Sequence, residues 1–216
     1  MKILSAYMLI RKIMVSPSVA LGHAKALEIS TAKYPIKRVV IKTTTVGAGL
    51  IDVTQEKLFS GQLPTRLIIG LVDHEAFNGV RTRNPFNFHH FNLNHIEVHV
   101  DGQLNQQIKP LKPNYTLGQY TEAYLSLFSG TNKINRDESN TISLSDYPNG
   151  YCLYCFDLTP DLSEDLHFNL IKQGSVRLAL KFSTALARAI TVITYAEFEN
   201  IIEIDQSRNI LFDFSS

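Results

Sequence analysis

The sequence predicts an all-β protein, a sandwich of two antiparallel sheets with short helices in the connections. Residues 95–101 carry the clearest signal. Ile96, Val98 and Val100 alternate with Glu97, His99 and Asp101, as a strand with one buried face requires. Farther along, Val176, Leu178, Leu180 and Phe182 face one way while Arg177, Ala179 and Lys181 face the other. The remaining segments are dominated by strands, with no repeats, low-complexity tracts or charge blocks.

Taken in order, residues 7–15 read as a first strand. Ser16-Pro17 then opens a short helix to about Leu27, with proline at the position where its missing N–H costs nothing. Residues 37–45 are β-branched and end at Gly47-Ala48-Gly49, and residues 66–72 (RLIIGLV) form a further strand. Residues 73–79 suit a single helical turn. The Asp101-Gly102 pair is a hairpin signal, with residues 103–109 as the returning strand. Thr116 and Gln119 form a capping box ahead of a helix whose face is Tyr120, Ala123, Tyr124, Leu127 and Phe128, stopped by Gly130.

Residues 131–148 are the most polar stretch and read as a surface loop. Residues 151–158 are the next strand, and Ser163 caps a helical turn containing Glu164 and Asp165. Residues 190–198 are apolar on both faces, suiting an enclosed strand. Residues 201–205 and 209–214 form a hairpin around Gln206-Ser207-Arg208. The whole is expected to be one domain over residues 1–216.

Bulk properties exclude several classes. With 21 basic and 20 acidic residues the net charge is +1, so no footprint for nucleic acid or an anionic membrane is present. No apolar run reaches the ~18 residues needed to span a bilayer. Arg11 and Lys12 interrupt the N-terminal apolar stretches where a signal peptide would continue, so an opening strand is expected there instead. Cys152 and Cys155 form a CxxC, but inside an apolar run that reads as strand and with no second pair to complete a zinc knuckle. Two unpaired buried thiols are expected, and with them folding in a reducing compartment.

Catalytic signals are weak. His95, Glu97 and His99 share one strand face, and imidazoles at i and i+2 lie about 7 Å apart at their backbones, near enough to converge on zinc. Glu97 or His89 would be the third ligand of a hydrolytic site. A polar outer face calls for the same residue types without a metal, which is the preferred reading. There is no GxSxG elbow, and Gly47 and Gly49 give only GxG. Neither a catalytic residue, a metal nor a cofactor is assigned.

What stands out instead is aromatic side chains among amides in loops: Phe77 beside Asn78-Gly79, then NPFNFHHFNLN at residues 84–94. Phe77, Phe86, Phe88, His89, His90 and Phe91 are the candidate protein–protein contacts. The competing reading is that the phenylalanines plug an open end of the sandwich.

The ordered motifs SPSVALGHAKALE, TAKYPIKR, GQLPTRLIIGLVDHEAFNG, NPFNFHHFNLN, VDGQ, NGYCLYCFDLTPD and YAEFENIIEIDQSRNILFDF resemble the major capsid protein of Polinton (Maverick) elements and adintoviruses. The resemblance runs from about Tyr7 onward and covers the second sandwich of that double jelly-roll protein. It implies a jelly-roll β-sandwich, no enzymatic activity and a place in a virion capsid, with synthesis in the host cytoplasm or nucleus. The implied partners are identical chains, as a trimer, with neighbouring capsomers or minor capsid proteins, and neither direct nucleic-acid binding nor membrane insertion. The alternative is a domesticated jelly-roll binding module that recognises a host protein or glycan through its loops.

Overall fold

In the computed structural model of the protein, the residues described are 3–104, 108–134, 136–159, 162, 167–170 and 172–212. The chain divides into two compact units, a larger one over residues 37–199 and a smaller one formed by residues 1–36 with 200–216. The elements are α1 (Pro17–Ile29), β1 (Ala32–Val46), β2 (Asp52–Gln62), β3 (Arg66–Asp73), α2 (His74–Phe77), β4 (Leu93–Val100), β5 (Gln103–Leu104), α3 (Thr121–Ser129), β6 (Leu153–Asp157), β7 (Gln173–Phe182), β8 (Ile190–Ile204) and β9 (Ile210–Phe212). One sheet has the order β1-β8-β3-β6 with β9 added on β8, and the other has the order β2-β7-β4-β5.

Each resolved pairing is antiparallel. Val176, Leu178, Leu180 and Phe182 of β7 are at most 1% exposed and meet Leu93, Ile96 and Val98 of β4 across the ladder. Leu67, Ile69 and Leu71 of β3 and Ile190, Val192, Ala196 and Phe198 of β8 belong to the same cluster. Each such side chain contributes roughly 1.5–3 kcal/mol by leaving water, so this cluster holds the larger unit together.

Several expectations are corrected. Residues 7–15 form no strand, and Tyr7, Leu9 and Met14 stand 85%, 89% and 100% exposed. Apolar side chains on both faces make a strand only when a layer covers each face, and here neither is covered. The strand at 52–62 escapes a pattern search because three residues, Glu56 to Leu58, bulge opposite Arg177, with Lys57 at φ 47°. The bulge breaks the alternation and brings Leu58 and Phe59 inward in succession. Pro35 lies within β1, which sits at the edge of its sheet, where a missing N–H is tolerated.

The returning strand after Asp101-Gly102 is described only at β5, because residues 105–107 lie outside the described residues. The turn expected around Ser163, Glu164 and Asp165 also lies outside them. The Thr116–Gln119 capping box does not form. The helix starts at Thr121 behind Tyr120, whose side chain makes no cap bond, while Asn114 and Gln119 pair as a β-bridge. Residues 131–148 are not wholly superficial, since Tyr147 is 0% exposed and Ile142 packs on the core.

Gly130 ends α3, yet with φ −75° it is not in the left-handed conformation that usually selects glycine. Close approach selects it instead: a Cβ there would stand 2.5 Å from Cys155 Sγ, 2.9 Å from its Cβ and 3.0 Å from the Ser126 carbonyl. Gly130→Ala is therefore expected to cost about 1–3 kcal/mol in urea unfolding through overpacking. Adding Cys155→Ala should recover part of that loss. Purely additive losses in the double variant would show that this contact does not limit the packing.

Candidate interaction surface

Asp73, the last residue of β3, organises the loop that follows. Its Oδ1 accepts from the Glu75 and Ala76 N–H groups and so caps α2. Its Oδ2 accepts from Arg83 at 2.5 Å and pairs with Arg188 Nε at 2.9 Å, while Arg83 also reaches Glu75 at 2.9 Å. With Thr82, Asn84, Asn87 and His89, the Asp73, Arg83 and Arg188 side chains border a cavity of about 400 Å³. Sequence reasoning misses this cluster. Asp73 and Arg188 are far apart in the chain, and no short-range pattern marks a shared carboxylate.

The aromatic loop divides into a projecting part and a fastened part. Phe86 is 76% and Phe77 42% exposed. Phe88 is fastened: its N–H donates to the Gly150 carbonyl at 2.9 Å, and its own carbonyl accepts from Cys152 N–H at 3.1 Å. Its ring lies on Gly70, where a Cβ would stand 2.7 Å away. His89 N–H donates to the Leu71 carbonyl, and the His89 ring meets Phe91 edge-on at 5.8 Å. Phe91 packs against the core. Only Phe77 and Phe86 of the six candidate contacts therefore present largely open rings.

His90 begins a run of stacked rings. It lies on Tyr115 at 4.1 Å, Tyr115 on Tyr120 at 5.5 Å, and Tyr120 on Tyr147 at 6.1 Å. Tyr124 meets Tyr147 and Phe128 edge-on. The hydroxyls are satisfied as burial requires: Tyr115 bonds Tyr154 at 2.7 Å, Tyr147 donates to the Leu153 carbonyl, and Tyr124 donates to that of Ile142. Burial pushes the Tyr115, Tyr147 and Tyr154 phenols up. It also pushes the Cys152 and Cys155 thiols up to about 12, and both cysteines are free. Burial, with His89 alongside, holds the His90 imidazole below its usual value.

On β4, His95 and His99 both turn their Nε2 toward Glu97, His95 at 2.8 Å. Arg177 of β7 lies 3.1 Å from His99 Nε2, and His99 is only 8% exposed. The imidazoles thus bind the carboxylate between them and do not converge on a common vacant point. Burial opposes ionisation of Glu97, but the hydrogen bonds of the two histidines outweigh it and hold the carboxyl below its usual value. Among the described residues, no group of three His, Cys, Asp or Glu side chains is placed to hold a metal ion. No described helix is long and apolar enough to cross a membrane.

No family model matches the chain. An uncharacterised protein of Caenorhabditis elegans is 27% identical over 194 residues, which make up 88% of this chain and 46% of that protein. Among solved structures, the chain is similar to the PBCV-1 virus capsid in a quasi-atomic model, with TM-score 0.53 and 11% identity over 86% of this chain and 52% of the other. It is also similar to PBCV-1 VP54 fitted into a reconstruction of the virophage Sputnik, with TM-score 0.50, 10% identity and the same coverages. The chain spans about half the length of the proteins it matches. At such identities the likeness establishes the fold, a jelly-roll β-sandwich of two antiparallel sheets with short helices.

Two measurements check this geometry. In the native protein neither thiol should react appreciably with a disulfide reagent at pH 8, and both should react on unfolding; fast native labelling would contradict their burial. The second concerns His90. An imidazole held below its unfolded value of 6.5 contributes stability that is present above pH 6.5 and is lost as pH falls through the lowered value. Unfolding free energy should therefore fall from pH 7.5 to 5 more steeply in the wild type than in His90→Phe, which keeps a ring on Tyr115. Parallel pH profiles would remove His90 as the cause.

Proposed function

We propose that the chain is a structural protein, a jelly-roll domain of a viral or virus-derived major capsid protein that self-associates into capsomers and builds an icosahedral shell. The resemblance of its ordered motifs to the Polinton and adintovirus capsid proteins supports that lineage. The fold shared with the PBCV-1 capsid supports it independently of those motifs. The uncharacterised nematode relative is in keeping with virus-derived copies in animal genomes. Residues 1–216 act as one jelly-roll domain, identical chains are the principal partners, a trimer is the expected unit, and the virion shell is the site of action. In this reading the protein is not an enzyme.

The observation that carries the reading at residue level is the projecting Phe86. A large ring 76% exposed on a loop whose base is bonded to β3 and to the residues just before β6 suits a preorganised apolar anchor. Such anchors dominate protein contacts, because little conformational freedom remains to be lost on docking. Phe77 stands on the same connection between β3 and β4.

Light scattering over a range of concentrations tests this. The full chain is expected to associate, and Phe86→Asp to weaken association at least tenfold while changing unfolding free energy by less than about 0.5 kcal/mol, as an exposed site should. Phe88 offers the contrast, because its replacement should lower stability. A wild-type chain that stays strictly monomeric at high concentration would sink the capsomer reading.

A further inference from the structure

We infer that the cavity beside Asp73 binds the phosphate group of a small phosphate ester. This goes beyond the capsid reading and does not depend on it. Every residue involved lies within 73–89 or at 188, inside the larger unit and among the described residues. The hydrogen-bonding capacity of the cavity wall is one-sided. The one carboxylate among its described residues, Asp73, is buried and fully engaged. Its Oδ1 receives the Glu75 and Ala76 N–H groups, and its Oδ2 meets both Arg83 and Arg188. A carboxylate offers about four lone-pair sites, so little acceptor capacity is left there.

Donors remain. Arg188 pairs with Asp73 through Nε, which leaves its two terminal nitrogens for another acceptor. Asn84 spends Oδ1 on the Phe86 N–H and Asn87 turns Oδ1 toward Gly150, so each keeps an amide nitrogen to donate. Arg83 holds Glu75 at 2.9 Å, but the Glu75 side chain is 63% exposed and stands outside the cavity wall. An open pair of this kind holds weakly, so an arriving oxyanion can take the place of Glu75 on Arg83. The two guanidiniums then face the single charge of Asp73, and the excess is positive. Planar guanidiniums bind phosphate through paired N–H groups. Donors from four side chains around one cavity also suit the three terminal oxygens of a phosphate better than the two of a carboxylate. A benzene-sized group occupies roughly 150 Å³, so about 400 Å³ leaves room for a short organic remainder beyond the phosphate.

Amide chemical-shift titration of the full chain with glycerol 3-phosphate tests the inference, with glycerol, inorganic phosphate and succinate as comparison ligands. Glycerol 3-phosphate is expected to give saturable shifts at millimolar concentration, confined to residues 73–89 and the neighbourhood of Arg188, and glycerol to give none. Inorganic phosphate and succinate should bind more weakly. Arg188→Gln should weaken binding of the ester about tenfold or more, as loss of a charge-assisted bond does. Glu75→Gln should tighten it about two- to fivefold, because the competing carboxylate is gone. A cluster with a purely structural role would not respond in that direction. Glu75 is open to solvent, so this variant keeps the test decisive should Arg188→Gln fold poorly. Shifts that do not saturate, or that spread over basic side chains elsewhere, overturn the inference as an adventitious ion effect only. So does binding to Glu75→Gln no tighter than to the wild type. Equal affinity for inorganic phosphate would overturn the ester, and equal affinity for succinate would overturn phosphate as the group recognised.

Discussion

The larger unit depends on one constraint: β3 and β6 are apolar on both faces. Leu67, Ile69 and Leu71 point one way into the sandwich, and β3 also buries Val72 completely on the other. A strand of that kind cannot leave one face to water, so a second layer has to cover the sheet. The chain supplies it with α3 and the aromatic loop. Gly70 lets the Phe88 ring lie on the strand, and Gly130 lets the end of α3 settle on Cys155. Both glycines are places where two layers come closer than any side chain would allow.

That covering explains why the loop over residues 84–92 is half structural. Its base is bonded to β3 and to the residues just before β6, His90 joins the tyrosine run, and Phe91 packs against the core. What remains free is the tip. The packing reading of these phenylalanines thus holds for Phe88 and Phe91 but not for Phe86, whose ring stays open. The cysteines follow from the same layer. They lie where α3 and the loop meet β6, as two hydrophobes with raised thiols and not as a redox pair.

The opposite sheet meets solvent differently. β7 turns Arg177 and Lys181 outward, each paired with an acidic residue of β2, and β4 adds the row of His95, Glu97 and His99. The open Lys181–Asp52 and Arg177–Glu56 pairs add little to stability, on the order of 0–1 kcal/mol each. The β4 row is more shielded, with His99 only 8% exposed. The spacing of the three β4 residues is legible in the sequence; that both imidazoles turn Nε2 toward one carboxylate is not, because it depends on side-chain rotation.

The sequence by itself determined the sandwich, the alternating strands β4 and β7, the strand at residues 190–198, the β8–β9 hairpin and the burial of both cysteines, since each follows from local patterning. It left β2 hidden, because a three-residue bulge erases period two, and it promoted residues 7–15 to a strand, because an apolar run says nothing about whether a partner exists. The capping role of Asp73, its sharing between Arg83 and Arg188, and the division of the aromatic loop into fastened and projecting rings were decided only by the tertiary structure. Those features join residues distant in the chain, where the outcome rests on which backbones approach closely enough to exclude water, and no local pattern encodes that distance.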